Sequence, residues 1–248
     1  MNIPEFSESQ SYTLLAHRGF AHRFPENTLS ALRGALEHGA RKVEFDIQLS
    51  ADGVPFVIHD ATLTRTCGVD GQVTDMTAVQ LSYVRAGYPA RFGECFAKEP
   101  LPTLAQTVAL LAEYRDIEIF AEIKDESIAR VGQDTTLDIV LPVLEVLRGA
   151  VVVISFNLEF VLSARARSKH PIGWCVARYD EASAEKAMQA KPEFLLTNYK
   201  DLPADGSALW PGPWAWVLYE VIDPEVAEDL MSRGASIIET MDLAAFST

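Results

Sequence analysis

The chain has 248 residues, 21 Lys and Arg against 35 Asp and Glu, and a formal net charge of −14. That length holds one large α/β domain or two small ones, and 48% hydrophobic residues exclude a disordered chain. The acidic balance excludes a nucleic-acid binder with a basic face, and bulk-charge docking on an anionic membrane.

The first residues, Met1-Asn2-Ile3-Pro4-Glu5-Phe6, carry neither a basic region nor an apolar run and are not read as a signal peptide. Short apolar runs then alternate with longer amphipathic stretches. Strands are expected at 13–16, 42–47, 55–58, 118–123, 151–155, 172–176, 194–197, 215–221 and 236–239. Helices are expected at 28–38, 104–115, 137–147, 158–168, 182–190 and 224–233. Leu29, Leu32 and Leu36 give the first helix its period, with Asn27 or Thr28 as its cap. Asp223 caps the last, with Pro224 at its first position. Such alternation argues for a parallel α/β fold, most simply a (β/α)₈ TIM barrel.

A barrel needs eight strands, and nine are expected. No helix fits between Ile47 and Pro55, where Asp52-Gly53 signals a hairpin. A turn centred on that pair places Asp46 opposite His59. Either the third strand runs antiparallel, or one of the nine lies outside the barrel. Residues 60–103 are turn-rich and irregular, and about 40 such residues exceed an ordinary loop. They are read as an insertion leaving the third strand, a small subdomain over the barrel mouth of one catalytic domain, 1–248. Its Tyr83, Tyr88, Phe92 and Phe96 suit either a lid over an apolar substrate group or a mini-core. Trp210, Trp214 and Trp216 suit packing of the loop before the eighth strand. No stretch approaches the ~20 apolar residues of a membrane span. Cys67, Cys95 and Cys175 suggest neither disulfides nor a zinc site but idle thiols, and a reducing cytoplasm is the default setting.

Polar residues gather where strands end. His17-Arg18 follows the first strand, Glu44 and Asp46 interrupt the second, His59-Asp60 follows the third, and Glu122 and Lys124 interrupt the fourth. Residues two apart in a strand share a face, so Glu44 pairs with Asp46 and Glu122 with Lys124. Ionised carboxylates in apolar strands are costly unless paired or metal-bound. Three acids from two strands suit a hard divalent cation, Mg²⁺ or Ca²⁺. Each residue also has a plain structural reading. Glu44 or Asp46 can bridge to Arg18 or Lys42, His17 can be a hydrogen-bonded interior histidine, and Lys124 can simply neutralise Glu122. Their joint placement at the C-terminal rim of early strands favours chemistry, because barrel enzymes work there.

Leu15-Ala16-His17-Arg18-Gly19, Pro25-Glu26-Asn27-Thr28, Glu44-Phe45-Asp46, Asp52-Gly53, His59-Asp60, Leu63-Thr64-Arg65 and Glu122-Ile123-Lys124 occur in this order. The series resembles the glycerophosphodiester phosphodiesterase family, closely over 13–125 and more loosely through Ile154-Ser155-Phe156 and Asp223-Pro224-Glu225. The resemblance implies a distorted TIM barrel and metal-dependent hydrolysis of a small glycerophosphodiester to an alcohol and glycerol 3-phosphate. It implies His17 and His59 as general base and acid, and Glu44, Asp46 and Glu122 as ligands of one Mg²⁺ or Ca²⁺. It also implies Arg18 and Lys124 as the phosphate holders, with Glu26 orienting Arg18. A cyclic phosphate intermediate and direct attack by water are both open. With the cation, Arg18 and Lys124 against three carboxylates, the local balance is positive by one charge, so an anionic substrate is compatible with −14 overall.

The chain departs from the family late. Tyr219 stands where a tryptophan is usual and Glu220 where threonine is usual, and Ile238-Glu239-Thr240-Met241-Asp242 replaces an Ile-Thr-Asp-Arg-Pro ending. Tyr219 is expected near the substrate. Glu239 either faces the site or forms a salt bridge outside it. Rival readings are a lysophospholipase D-like hydrolase, with an apolar groove under the insertion, and a metal-dependent barrel lyase or aldolase, with a lysine or carboxylate base. A phosphate-binding module without catalysis is a third.

Overall fold

The computed structural model describes residues 13–147 and 151–247; the expectation about Met1 to Phe6 lies outside them. Eight strands run parallel and close on themselves: β1 (Thr13–Ala16), β2 (Lys42–Leu49), β4 (Glu118–Ile123), β5 (Val151–Ser155), β6 (Ile172–Cys175), β7 (Phe194–Asn198), β8 (Ala215–Tyr219) and β9 (Ile237–Thr240). β1 pairs with both β9 and β2 and shuts the ring. The extra strand, β3 (Pro55–Val57), runs antiparallel to β2 and lies outside the barrel. Both halves of the nine-strand expectation therefore hold.

The hairpin register is one residue off the expected one. Gly53 N donates to Ser50 O and Ser50 N to Val54 O, so three residues, not two, form the loop. Gly53 takes the left-handed conformation that such a loop needs, with φ +81°. Ile47 then faces Val57, and Ile58 N donates to Asp46 O, so Asp46 lies opposite Ile58 rather than His59.

Strand alternation sorts the layers. Val43, Phe45 and Ile47 of β2, and Ile119, Ala121 and Ile123 of β4, point outward. They pack in one core with α1 (Leu29–Glu37), α5 (Leu104–Leu111), α7 (Gln133–Leu144), α8 (Leu158–Arg167), α9 (Glu181–Ala190) and α10 (Pro224–Ser232). Inward positions Leu15, Phe120, Val152, Leu196, Val217 and Ile237 form an apolar plug inside the barrel. Glu44, level with Phe120, begins the polar part of the interior, and toward the strand C-termini Asp46, Glu122, Tyr219 and Glu239 point inward beside the apolar Ile154.

Caps hold the helices at the expected starts. Thr28 Oγ1 accepts from Ala31 N, and Asp223 accepts from Glu225 N ahead of Pro224. A helix not expected from sequence, α6 (Asp125–Val131), follows β4, and Gly132 separates it from α7, which starts one turn earlier than expected.

The insertion is more regular than expected. It holds α2 (Thr64–Cys67), α3 (Ala78–Leu81), α4 (Pro89–Phe92) and a 3₁₀ turn at Val73–Asp75. Its small core gathers aliphatic side chains around Phe56 of β3: Ile58, Leu63, Val73, Leu81, Val84 and Leu101. The four aromatics form neither that core nor a wall of the cavity described below. Tyr83 is exposed, while Phe92 meets Tyr88 and Phe96 edge-on and Phe96 meets Phe24. The tryptophans do pack before β8: Trp210 stacks on Tyr179 at 4.0 Å and meets Trp216. Cys67 and Cys175 are buried, Cys95 is exposed, and none is in a disulfide. Among the described residues no helix is long and apolar enough to cross a membrane.

Candidate active site

A cavity of about 390 Å³ opens at the C-terminal ends of the strands. His17 and Arg18 reach it from the turn after β1, where Arg18 takes φ +57°. Gly19 follows at φ +78°, so close to α1 that a Cβ would lie 2.5 Å from the Ala31 carbonyl carbon. Glu122 and Lys124 come from β4, Tyr219 and Glu239 from β8 and β9, and His59, Asp60 and Arg65 from the chain after β3. Glu44 and Asp46 lie beneath them and are almost fully buried. All eight residues expected from sequence thus converge on one place. Glu239 faces the site, which decides the alternative left open by its position.

Arg18 and Lys124 tie the acids together. The Arg18 main-chain N–H donates to Glu44 Oε2 at 2.9 Å, and its side chain bonds Glu26 Oε1 at 2.8 Å and approaches Asp46 Oδ2 at 3.3 Å. Lys124 Nζ donates to Glu122 Oε1 at 2.7 Å and lies 3.5 Å from Asp46 Oδ1. Lys42 bridges instead to Glu118 at the opposite, N-terminal end of the strands. Asn27, in a left-handed conformation at φ +60°, bonds Asp46 twice, donating to Oδ2 and accepting from its main-chain N–H.

Burial works to raise the Asp46 carboxyl, but Arg18 and Lys124 overcome it and hold Asp46 far below the usual carboxylate range. Glu122, buried and beside Asp46, is pushed up to about 7. Burial and the neighbouring acids also raise Glu44 and Glu239. Burial, then Arg18, holds the His17 imidazole well below its usual range, which keeps the ring neutral. With Glu239 counted, the expected local surplus of one positive charge is cancelled.

Glu44, Asp46 and Glu122 bring ligand oxygens within 4.8 Å of one another, and Glu44 Oε1 is buried without a hydrogen-bond partner. An all-oxygen, carboxylate-rich set with an unsatisfied buried oxygen fits a hard divalent cation.

A second network runs along the mouth. His59 Nδ1 lies 2.7 Å from Asp60 Oδ1, Arg65 donates to both Asp60 oxygens, and Arg65 also forks onto Glu26. Bonds from Arg65 hold the Asp60 carboxyl down at about 2. Asp60, Arg65 and Asn27 were legible only as parts of motifs, since Arg65 and Asn27 find Glu26 and Asp46 in distant segments. Asn198 and Glu220 also line the cavity, joined at 2.9 Å with Lys200 3.2 Å from the same carboxylate, and no sequence signal marked Asn198.

A "Glycerophosphodiester phosphodiesterase" of Caldanaerobacter subterraneus is 39% identical over 124 residues, 50% of this chain and 50% of that protein. "Glycerophosphodiester phosphodiesterase 1" of Bos taurus is 38% identical over 110 residues, 44% of this chain and 33% of that protein. The chain thus spans half or less of the curated relatives it matches. A phosphodiesterase of Oleispira antarctica, solved in complex with the product sn-glycerol-3-phosphate, superposes with a TM-score of 0.78 at 23% identity, over 92% of each chain. The family model for glycerophosphoryl diester phosphodiesterases matches residues 17–205, from the first site histidine through β7. With three quarters of its length inside that match, the chain belongs to the glycerophosphoryl diester phosphodiesterase family.

Proposed function

We propose that this chain hydrolyses small glycerophosphodiesters to an alcohol and glycerol 3-phosphate, with one Mg²⁺ or Ca²⁺ held by Glu44, Asp46 and Glu122. The observation that carries this reading is the convergence at one cavity of two histidines, the cationic side chains of Arg18 and Lys124, and a carboxylate triad. The glycerol 3-phosphate bound to the Oleispira protein supports the substrate class. When bound, the divalent cation supplies positive charge for the non-bridging phosphate oxygens, where charge builds in the transition state. Arg18 and Lys124 hold the same phosphate, and Tyr219 walls the cavity beside His17, their rings 6.1 Å apart.

The histidines divide the proton work. His17 is kept neutral and accepts the proton of the attacking hydroxyl. Asp60 is ionised and accepts from His59 Nδ1–H, and the doubly protonated ring gives its Nε2 proton to the leaving alkoxide, leaving His59 neutral with Nδ1–H still on Asp60. Attack by the neighbouring glycerol hydroxyl gives a 1,2-cyclic phosphate, which water then opens. Residues 60–103 act within the same catalytic unit, since Asp60 and Arg65 come from them. A lyase reading loses ground at Lys124. Asp46 and Glu122 overcome the effect of burial and hold its amine protonated, unsuited to a nucleophile or base.

The test is a panel of glycerophosphocholine, glycerophosphoethanolamine, glycerophosphoglycerol and lysolipids, with and without chelator. Chelator-sensitive release of glycerol 3-phosphate is expected, and His17→Ala and His59→Ala should each slow it by roughly 10²–10⁴-fold. Unimpaired hydrolysis in both variants, or none on the whole panel, overturns the reading. Trapping of the cyclic phosphate separates its route from direct attack by ¹⁸O-water.

A further inference from the structure

Glu239, on β9, is a buried acid of the cavity outside the triad of Glu44, Asp46 and Glu122. It is 2% exposed, and its Oε1 is buried without a hydrogen-bond partner. That oxygen lies 3.9 Å from His17 Nε2, and Glu44 Oε2 lies 4.0 Å from the same nitrogen. Both separations exceed a hydrogen bond, so the imidazole satisfies neither carboxylate. A buried carboxylate oxygen with no partner is costly, and this one faces a ring nitrogen and a second acid.

We propose that His17, Glu44 and Glu239 form a second metal site, selective for a zinc-like cation, whose occupation blocks His17. Their ligand atoms all lie within 4.8 Å of one another. A tetrahedral cation with bonds of about 2.0–2.2 Å holds its ligands about 3.3–3.6 Å apart. The two pairs involving His17, at 3.9 and 4.0 Å, must close by a few tenths of an ångström, and the third, within 4.8 Å, by no more than about 1.5 Å, which small side-chain rotations supply. The donors separate the two triads. Glu44, Asp46 and Glu122 offer only oxygen and suit Mg²⁺ or Ca²⁺, whereas an imidazole nitrogen with two carboxylates suits Zn²⁺. Glu44 belongs to both triads and has an oxygen for each. Charge permits both ions. Glu44, Asp46, Glu122 and Glu239 oppose only Arg18 and Lys124, so one divalent cation brings the set to neutrality and leaves no surplus to repel another.

Support for the ring is incomplete. His17 Nδ1 has no hydrogen-bond partner, whereas most metal-binding histidines donate that proton to a second group. Affinity about 10–100-fold below that of a fully supported site follows, which makes zinc binding reversible. Occupation engages the Nε2 lone pair of His17, and the ring can then accept no proton. The inhibition rests on the proposed role of His17; the binding does not.

Full-length protein saturated with Mg²⁺ is titrated with Zn²⁺, following bound zinc, retained magnesium and the His17 ring signals by NMR. We expect one zinc to bind without loss of magnesium and to shift the His17 Nε2 resonance. Glu239→Gln and Glu239→Thr should each weaken zinc at least tenfold. Inhibition, measured against each variant's own zinc-free rate, should weaken in step. Unchanged zinc affinity in both variants, one-for-one displacement of magnesium, or an unperturbed His17 ring overturns the site. Zinc uptake on this pattern by a protein that hydrolyses no glycerophosphodiester leaves the site standing and overturns the function.

Discussion

Among the described residues the His59 ring has one hydrogen-bond partner, Asp60, and Asp60 is fixed in turn by Arg65. Because Arg65 holds the Asp60 carboxyl near 2, its charge persists through the neutral range and accepts from His59 Nδ1–H, so the proton given to the leaving group is the one on Nε2. Asp60→Asn removes that charge and offers an amide that can present N–H to the ring. We predict a fall in kcat of about 10²–10⁴-fold, by the logic of an acid that orients a catalytic histidine, with a modest fall in Tm at pH 7 from the weakened bonds to Arg65. A kcat within threefold of wild type counts against the His59 assignment. The acid triad gives a second expectation. Glu122 is raised from 4.5 to about 7 in the cation-free fold, so it binds a proton more tightly folded than unfolded. The protonated form favours folding below about pH 4.5, and that contribution is lost as the pH rises through 7. A divalent cation must displace this proton at pH 6 and need not at pH 8. Saturating Mg²⁺ or Ca²⁺ should therefore raise Tm by more at pH 8 than at pH 6, as scanning calorimetry can measure. Sequence located these residues by their parity within strands, because a face repeats every second position. It did not decide where Glu239 points, since that depends on the register of β9 against β1.

Two glycines show how elements govern the site. Gly19, at φ +78°, sits where a Cβ would meet Ala31 C and O at 2.5 and 2.6 Å, both backbone atoms of α1 that cannot rotate aside. Gly53, at φ +81°, would meet only Ile139 Cδ1 at an ordinary 3.5 Å. Both Ala variants bear the cost of a left-handed conformation, about 1–2 kcal/mol. Gly19→Ala adds the clash, so it should lose at least about 2 kcal/mol and displace His17 and Arg18, lowering kcat as well. Gly53→Ala should lose only about 1–2 kcal/mol and keep its activity. Urea titration with parallel assays compares them, and equal loss of activity in both would undo the contrast. The same hairpin explains one limit of sequence reading. Asp52-Gly53 marked the turn, but the loop length that sets register depends on Ser50, whose Oγ accepts from Val54 N. Strands were easiest to locate because eight buried apolar runs must fill one ring. α6 was missed because its seven residues, ended by Gly132, are too few to display a helical period.

At the scale of the whole molecule, composition measured the charge and could not place it. Of the 35 acids, four lie buried around the cavity floor, opposed by Arg18 and Lys124. Most of the remaining excess faces solvent, where its field reaches as far as salt allows. The screening length falls from about 30 Å at 0.01 M to about 8 Å at 0.15 M. An approaching substrate with one net negative charge meets repulsion at low salt and little at physiological salt. Glycerophosphoglycerol carries that single charge, whereas the choline of glycerophosphocholine cancels it. Between 0.01 and 0.15 M salt, kcat/KM for glycerophosphoglycerol should therefore rise about twofold, and that for glycerophosphocholine should stay level. The zwitterion corrects for any effect of salt on the protein itself. A fall for glycerophosphoglycerol would mean that Arg18, Lys124 and the bound cation dominate the approach from long range, with the surface acids too dispersed to matter. A rise shared equally by both substrates would mean that salt acts on the protein, through relief of repulsion among its own acids.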